Sequence, residues 1–195
     1  MYMNHMIALF IRFLSTIALI SLLAGKADAA EGNYRRTIDN YTVPDVVLIN
    51  QDGHKIHLKE YLQSNKPVVV EFIYATCTTF CPILSAGYVN LQQKLGVESP
   101  DVTLVSISID PENDSPNVMK DYLKRYRSKP GWDFLTGSRT DIDTVLHAFK
   151  AYIPNKVSHF PLTLIKSPSD GTWVRIAGLL SSSEFLNEFK KVRLK

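Results

Sequence analysis

Cys77 and Cys81 are the only cysteines in the chain, and they stand in the run Cys-Thr-Thr-Phe-Cys-Pro. A disulfide closing so short a loop would restrain little chain entropy, which makes it a poor structural staple. Redox or metal chemistry uses the spacing better. If a helix begins within the run, the i, i+4 relation puts both sulfurs on one face. Pro82 suits an early helical turn, where the N–H it lacks would have no partner anyway. The unpaired N–H groups and the dipole of that helix end favour thiolate over thiol. Two soft thiolates side by side select Cu(I) or Zn among common metals.

A third donor has to come from elsewhere, and the chain has five histidines. His5 lies in the apolar N-terminal segment. His54 and His57 flank a short strand and read as solvated, and His147 reads as a helix-surface or core residue. His159 differs, because it precedes Pro161 and the apolar run Leu162-Thr163-Leu164-Ile165. On the residues alone it is as readily a buried structural histidine as a ligand. Asp110 ends another apolar run and either orients a ligand or caps the turn before Pro111. Asp114, with Ser115-Pro116, reads as a helix N-cap. Glu71 is assigned no chemistry.

The elements that would position these residues follow from the hydrophobic pattern. Val46–Ile49 and His54–Leu58, about the turn Asn50-Gln51-Asp52-Gly53, predict a β-hairpin. Val68–Tyr74 is β-branched and nearly continuous, as a strand covered on both faces should be. Helical spacing follows from Ile83 to Leu95, with Gly96 as the stop. Val102–Ile109 is a second buried strand, Ser115-Pro116 starts a helix, and Trp132–Leu135 is a short strand. Thr140–Tyr152 is helical. Pro161–Ile165 and Thr172–Ile176 are strands, and Ser182–Val192 is a last helix capped by Ser182 or Ser183. Alternating strands and helices predict an α/β fold with a central mixed sheet flanked by helices. Residues 45–195 make that domain, residues 30–44 an extended arm. Ligands in such sheets gather beyond the carboxyl ends of the strands, where the cysteines lie.

The first 29 residues differ. Ile7–Leu23 is almost wholly apolar, with no charge from Phe13 to Ala24, and Ala27-Asp28-Ala29 is a small-x-small pattern. This is the layout of a secretory signal peptide cleaved after Ala29. An uncleaved membrane anchor is the competing reading, since the run nearly reaches the ~20 residues of a span. Either way the domain is expected outside the cytoplasm, in the periplasm or at the outer face of the inner membrane. The net charge of +3 comes with no basic run interleaved with aromatics, which argues against nucleic acid as a partner.

Cys-Thr-Thr-Phe-Cys-Pro after an apolar strand resembles the Cys-x-x-x-Cys-Pro motif of the Sco/SenC family. Ser106-Ile107-Ser108-Ile109-Asp110-Pro111-Glu112-Asn113-Asp114-Ser115-Pro116 is similar to that family's second signature. His159, followed by an apolar strand and Asp170-Gly171, matches its distal histidine. The resemblance runs from about Asp45 to the C-terminus. It implies a thioredoxin-like fold and a copper metallochaperone that helps assemble the binuclear copper centre of cytochrome c oxidase. Cys77 and Cys81 would then be thiolate ligands and His159 the imidazole ligand, with Cu(I) held by the cysteines and His159 needed more for Cu(II). The client would be a protein with a copper site or a cysteine pair, such as a cytochrome c oxidase subunit.

Two departures keep a second activity open. Pro161 stands where thioredoxin-like folds carry a cis-proline, and Ser108 where some relatives have another aspartate. The alternative is a periplasmic thiol–disulfide oxidoreductase in which Cys77, the more exposed sulfur, attacks a partner's disulfide. A thiol peroxidase would need Pro-x-x-x-Thr-x-x-Cys, which Phe72–Cys77 lacks.

Overall fold

The computed structural model describes residues 34–96 and 101–193. The proposed export segment and its cleavage site lie outside the described residues. Among the described residues no helix is long and apolar enough to cross a membrane.

Eight strands form one mixed sheet in the order β1-β8-β7-β4-β5-β6-β2-β3. They are β1 (Tyr34–Asp39), β2 (Val47–Asn50), β3 (Lys55–His57), β4 (Val68–Ile73), β5 (Thr103–Ser108), β6 (Trp132–Thr136), β7 (Leu162–Lys166) and β8 (Trp173–Gly178). Among the described residues five α-helices accompany them: α1 (Leu58–Leu62), α2 (Cys81–Leu95), α3 (Pro116–Arg125), α4 (Arg139–Ala148) and α5 (Ser182–Arg193). β4, β5 and β6 run parallel, and β7 runs antiparallel to β4. The β2–β3 hairpin extends the sheet, β2 pairing with β6. Within the arm expected before residue 45, Tyr34–Asp39 pairs with β8 as an edge strand.

Both faces of the sheet are covered, so the central strands are apolar on both sides. On one face Val69 and Ile73 of β4 pack with Leu84, Tyr88 and Leu91 of α2, Met119 and Tyr122 of α3, and Phe185 and Phe189 of α5. On the other, Val68, Val70 and Phe72 pack with Leu58 and Leu62 of α1 and Ile142, Val145 and Leu146 of α4. Such residues alternate along β4, as period-2 geometry requires.

Three local details depart from the sequence reading. α1 grows directly out of the predicted second hairpin strand, with its two buried leucines as the anchors. The cap of α5 is Ser181: its Oγ accepts from Glu184 N–H at 3.3 Å, while Glu184 accepts from Ser181 N–H at 2.7 Å. That reciprocal pair is a capping box. All described peptide bonds are trans, Phe160–Pro161 included, where a cis-proline was expected.

Candidate metal centre

Strand order brings the chemistry-bearing residues to one end of the sheet. β4 and β5 are parallel neighbours, so their carboxyl ends, carrying the cysteine loop and Asp110, lie together. β7 is the antiparallel neighbour on the other side of β4, so its amino end, preceded by His159, reaches the same edge.

The helix begins later than the i, i+4 reading supposed. α2 starts at Cys81, with Phe80 as the N-cap residue and Pro82 in the first turn. Cys77 stays in the loop, where its N–H donates to Tyr74 O at 3.1 Å. The sulfurs come together because this tight turn folds the loop back over the helix end. Cys77, Cys81 and His159 are 5%, 0% and 8% exposed, and neither cysteine is in a disulfide. Their ligand atoms all lie within 4.8 Å of one another. Donors bonded to a single ion at about 2.0–2.3 Å lie no more than about 4.6 Å apart. The arrangement therefore needs little movement to close on a metal.

The imidazole is set for that role by its backbone. His159 follows a 3₁₀ turn, Lys156–Ser158, and its Nδ1 lies 2.7 Å from Lys156 O. A carbonyl oxygen only accepts, so Nδ1 carries the hydrogen and Nε2 keeps a free lone pair. Nε2 faces Cys81 Sγ at 3.3 Å. Burial lowers the histidine's pKa, against the backbone bond, and keeps the ring neutral. The rings of Phe80 and Tyr74 pack on it with centroids at 4.3 and 5.2 Å.

The two thiols are unequal. Burial pushes Cys77 up, but hydrogen bonds with Cys81 and Thr79 outweigh it and leave the thiol below its ordinary value. Thr79 Oγ1 lies 3.4 Å from its sulfur. Burial, reinforced by the bond to Cys77, pushes Cys81 far up. The common lowering expected from the helix end thus holds for the loop cysteine and fails for the deeper one, where desolvation wins. In the reduced pair Cys77 gives up its proton more readily than Cys81.

Asp110 is buried and stands outside the group of Cys77, Cys81 and His159. It accepts from Asn113 Nδ2 at 3.0 and 3.1 Å and pairs with Lys156 Nζ. Lys156 holds His159 through its carbonyl, so Asp110 braces the histidine by way of Lys156. Asp114 is not the helix cap: Ser115 is, accepting from Val118 N–H. Asp114 is fully buried and accepts from Ala75 N–H at 3.2 and 3.3 Å and from Ser108 Oγ at 2.6 Å. It pins the start of the cysteine loop to β5. Asp114→Ala leaves those donors unpaired and is expected to cost about 2–3 kcal/mol of stability. Chemical denaturation checks this, and unchanged stability contradicts it. His54, His57 and His147 are exposed and lie outside the cluster, as read from the sequence.

The SCO1/SenC family model matches residues 36–169. The chain belongs to the SCO1/SenC family. The SCO1 protein homolog of Bacillus subtilis (strain 168) is 38% identical over 117 residues, covering 58% of this chain and 60% of its own. This SCO1/SenC chain thus matches under two thirds of that relative's length. Among solved structures, it is similar to BsSco, described as a member of the Sco family of cytochrome c oxidase assembly proteins with a disulfide switch. The TM-score is 0.64 at 32% identity, over 78% of this chain and 94% of BsSco. Bradyrhizobium japonicum ScoI with copper bound shares the fold, with a TM-score of 0.60 at 23% identity over 77% and 99% of the two chains.

Proposed function

We propose that this protein is an exported copper chaperone that holds the ion between Cys77, Cys81 and His159 and passes it to a cytochrome c oxidase subunit. The observation that carries the reading is the trio of buried donors within 4.8 Å in a chain of the SCO1/SenC family. BsSco's description as a cytochrome c oxidase assembly protein supports the client class.

Copper is cargo here, and the site's chemistry suits cargo. Two thiolates favour Cu(I), and an imidazole adds a donor that Cu(II) prefers. Binding at Cys81 displaces a proton from sulfur at greater cost than at Cys77, whose thiol is the more readily ionised of the two. The test is transfer. Reduced protein loaded with one Cu(I) is mixed with a soluble oxidase fragment carrying the empty binuclear copper site, whose optical bands report filling. The reading predicts one Cu(I) per chain and its delivery. No copper uptake, with rapid reduction of a disulfide substrate instead, overturns it.

That second activity has its own support in the inequality of the two thiols. A thiolate at Cys77 attacks one sulfur of a partner's disulfide, the partner's other sulfur leaves as thiolate, and a mixed disulfide forms. Cys81, once deprotonated, attacks Cys77 Sγ and releases the second partner sulfur, leaving the Cys77–Cys81 disulfide and a reduced partner. A Cys81→Ser variant that traps the mixed disulfide on Cys77 supports this route.

Asp110→Asn tests the brace on His159. Loss of the partner that orients a ligand typically costs about 10–100-fold in metal affinity. Cu(II) affinity is expected to fall by about tenfold while Cu(I) affinity changes little, as read by competition with a chromophoric chelator. Equal losses for both ions contradict the brace.

A further inference from the structure

Arg175 is the one charged residue of β8. It stands two positions after Trp173 and pairs with Leu164 of β7, both of which pack on the sheet face that α4 covers. From there its guanidinium reaches the end of α4. One nitrogen, Nη1, donates to Phe149 O at 3.0 Å and to the Tyr41 hydroxyl at 3.2 Å, and Nη2 donates to Lys150 O at 3.1 Å. The same guanidinium lies 5.9 Å from the centroid of the Phe160 ring, within reach of a cation–π contact.

Phe149 and Phe160 bound the segment that carries His159. Lys150 turns the chain out of α4 with a φ of 53°, in the left-handed region that favours glycine. Its N–H donates to His147 O at 3.1 Å, and Ala151 N–H donates to Leu146 O at 2.7 Å, the paired bonds of a Schellman ending. That motif leaves the carbonyls of Phe149 and Lys150 unserved, and Arg175 takes both. The chain then runs to Lys156, whose carbonyl fixes Nδ1 of His159. Beyond Phe160, Pro161 O accepts from Gly178 N–H of β8 at 3.0 Å. One strand thus grips the segment at both ends, and its guanidinium touches both. Only a forked, planar cation can meet two carbonyls, a phenol and a ring together; an ammonium is a single point.

We propose that Arg175 is a positioning residue for the imidazole: it ties Phe149 and Lys150 to Phe160 and so holds the His159 segment in a loop of fixed span. Nε2 then faces Cys81 before any metal arrives, and binding does not have to order the loop. Asp110 braces the middle of this loop through Lys156, and Arg175 closes its ends. Without the guanidinium the loop opens locally while the sheet and α2 stay folded. The effect on copper rests on the copper reading; the hold on the loop does not.

The test is amide hydrogen exchange by NMR on the reduced, metal-free protein, comparing wild type with Arg175→Gln and Arg175→Lys. The reporters are the N–H groups of Val157, Ser158 and His159, which are bonded within the 3₁₀ turn. In Arg175→Gln they are expected to exchange about tenfold faster, while Val69 and Val70 of β4 keep the wild-type rate. Arg175→Lys, with its charge but not its fork, is expected to fall between the two. If Arg175→Gln does not fold, Arg175→Lys carries the comparison, with about threefold faster exchange at the same three amides. Unchanged rates at these amides overturn the proposal, and so does an equal acceleration in β4, which assigns Arg175 a merely structural part. Copper supplies a second readout. Cu(II) affinity is expected to fall about tenfold in Arg175→Gln and Cu(I) affinity by less than about threefold, because the imidazole serves Cu(II) more. Equal losses for the two ions overturn the positioning role. If wild type takes up neither ion, the copper function fails alone and the exchange rates decide.

Discussion

Replacing Cys81 by serine is expected to abolish stoichiometric Cu(I) binding, whereas replacing His159 by alanine leaves Cu(I) bound and removes Cu(II). The asymmetry follows from donor chemistry. A serine hydroxyl stays protonated at neutral pH and is a hard oxygen donor, so Cys81→Ser removes half of the soft ligand set. The loss should exceed the roughly 100-fold that removing an outer hydrogen-bond partner costs. His159 contributes a nitrogen from the far side of the site, held by the Lys156 carbonyl and packed by Phe80 and Tyr74. Its loss is expected to weaken Cu(I) by less than about tenfold, the two thiolates remaining. Parallel titrations of the three proteins with both ions, under a chelator of known affinity, decide the matter. If His159→Ala loses Cu(I) as completely as Cys81→Ser, the division of labour is wrong.

The second large effect is on stability. Glu71 has a folded-state pKa of about 8, well above the ordinary glutamate value, because it is buried. Below the unfolded-state value both states are protonated and the carboxyl has no pH-dependent cost. Between that value and about pH 8 the unfolded chain ionises while the folded chain does not. Stability is therefore lost as pH rises, by about 1.4 kcal/mol per pH unit from this group, to a total of several kcal/mol. Above pH 8 the loss levels off. Glutamine does not ionise, so Glu71→Gln escapes the loss while retaining an oxygen acceptor for Ser85 and Ser106. The stability difference between variant and wild type is expected to move in the variant's favour from pH 5 to 8. Urea denaturation of both proteins at each pH measures it. A difference that does not change with pH contradicts a buried, neutral Glu71.

Much of the site was legible because its residues are out of character for their surroundings. Two lone cysteines after a buried strand, a histidine before another, and a carboxylate ending a third are all visible as types and spacings. Strand adjacency then gathers them at one sheet end. What was not legible depends on backbone atoms or on depth. The start of α2 at Cys81 is set by the backbone around Phe80, and the hold on His159 is a main-chain carbonyl, which has no side-chain signature. Lys156 was accordingly missed, although its charge opposite Asp110 was a faint signal. Asp114 read as a cap because it precedes Ser115-Pro116, yet its carboxylate turns inward to Ala75 and Ser108. Glu71 carried the clearest unused signal: one acid in an otherwise apolar strand buried on both faces. The same burial explains why the two thiols diverge, since a helix end favours thiolate only where desolvation does not outweigh it.

The central claim is that Cys77, Cys81 and His159 close together on one copper ion. X-ray absorption at the copper edge, on protein reduced and loaded with one equivalent of Cu(I), reads the donor set directly. The account predicts two sulfur scatterers with a nitrogen scatterer that disappears in His159→Ala. A shell of nitrogen and oxygen alone, or a nitrogen scatterer unchanged by His159→Ala, would contradict it.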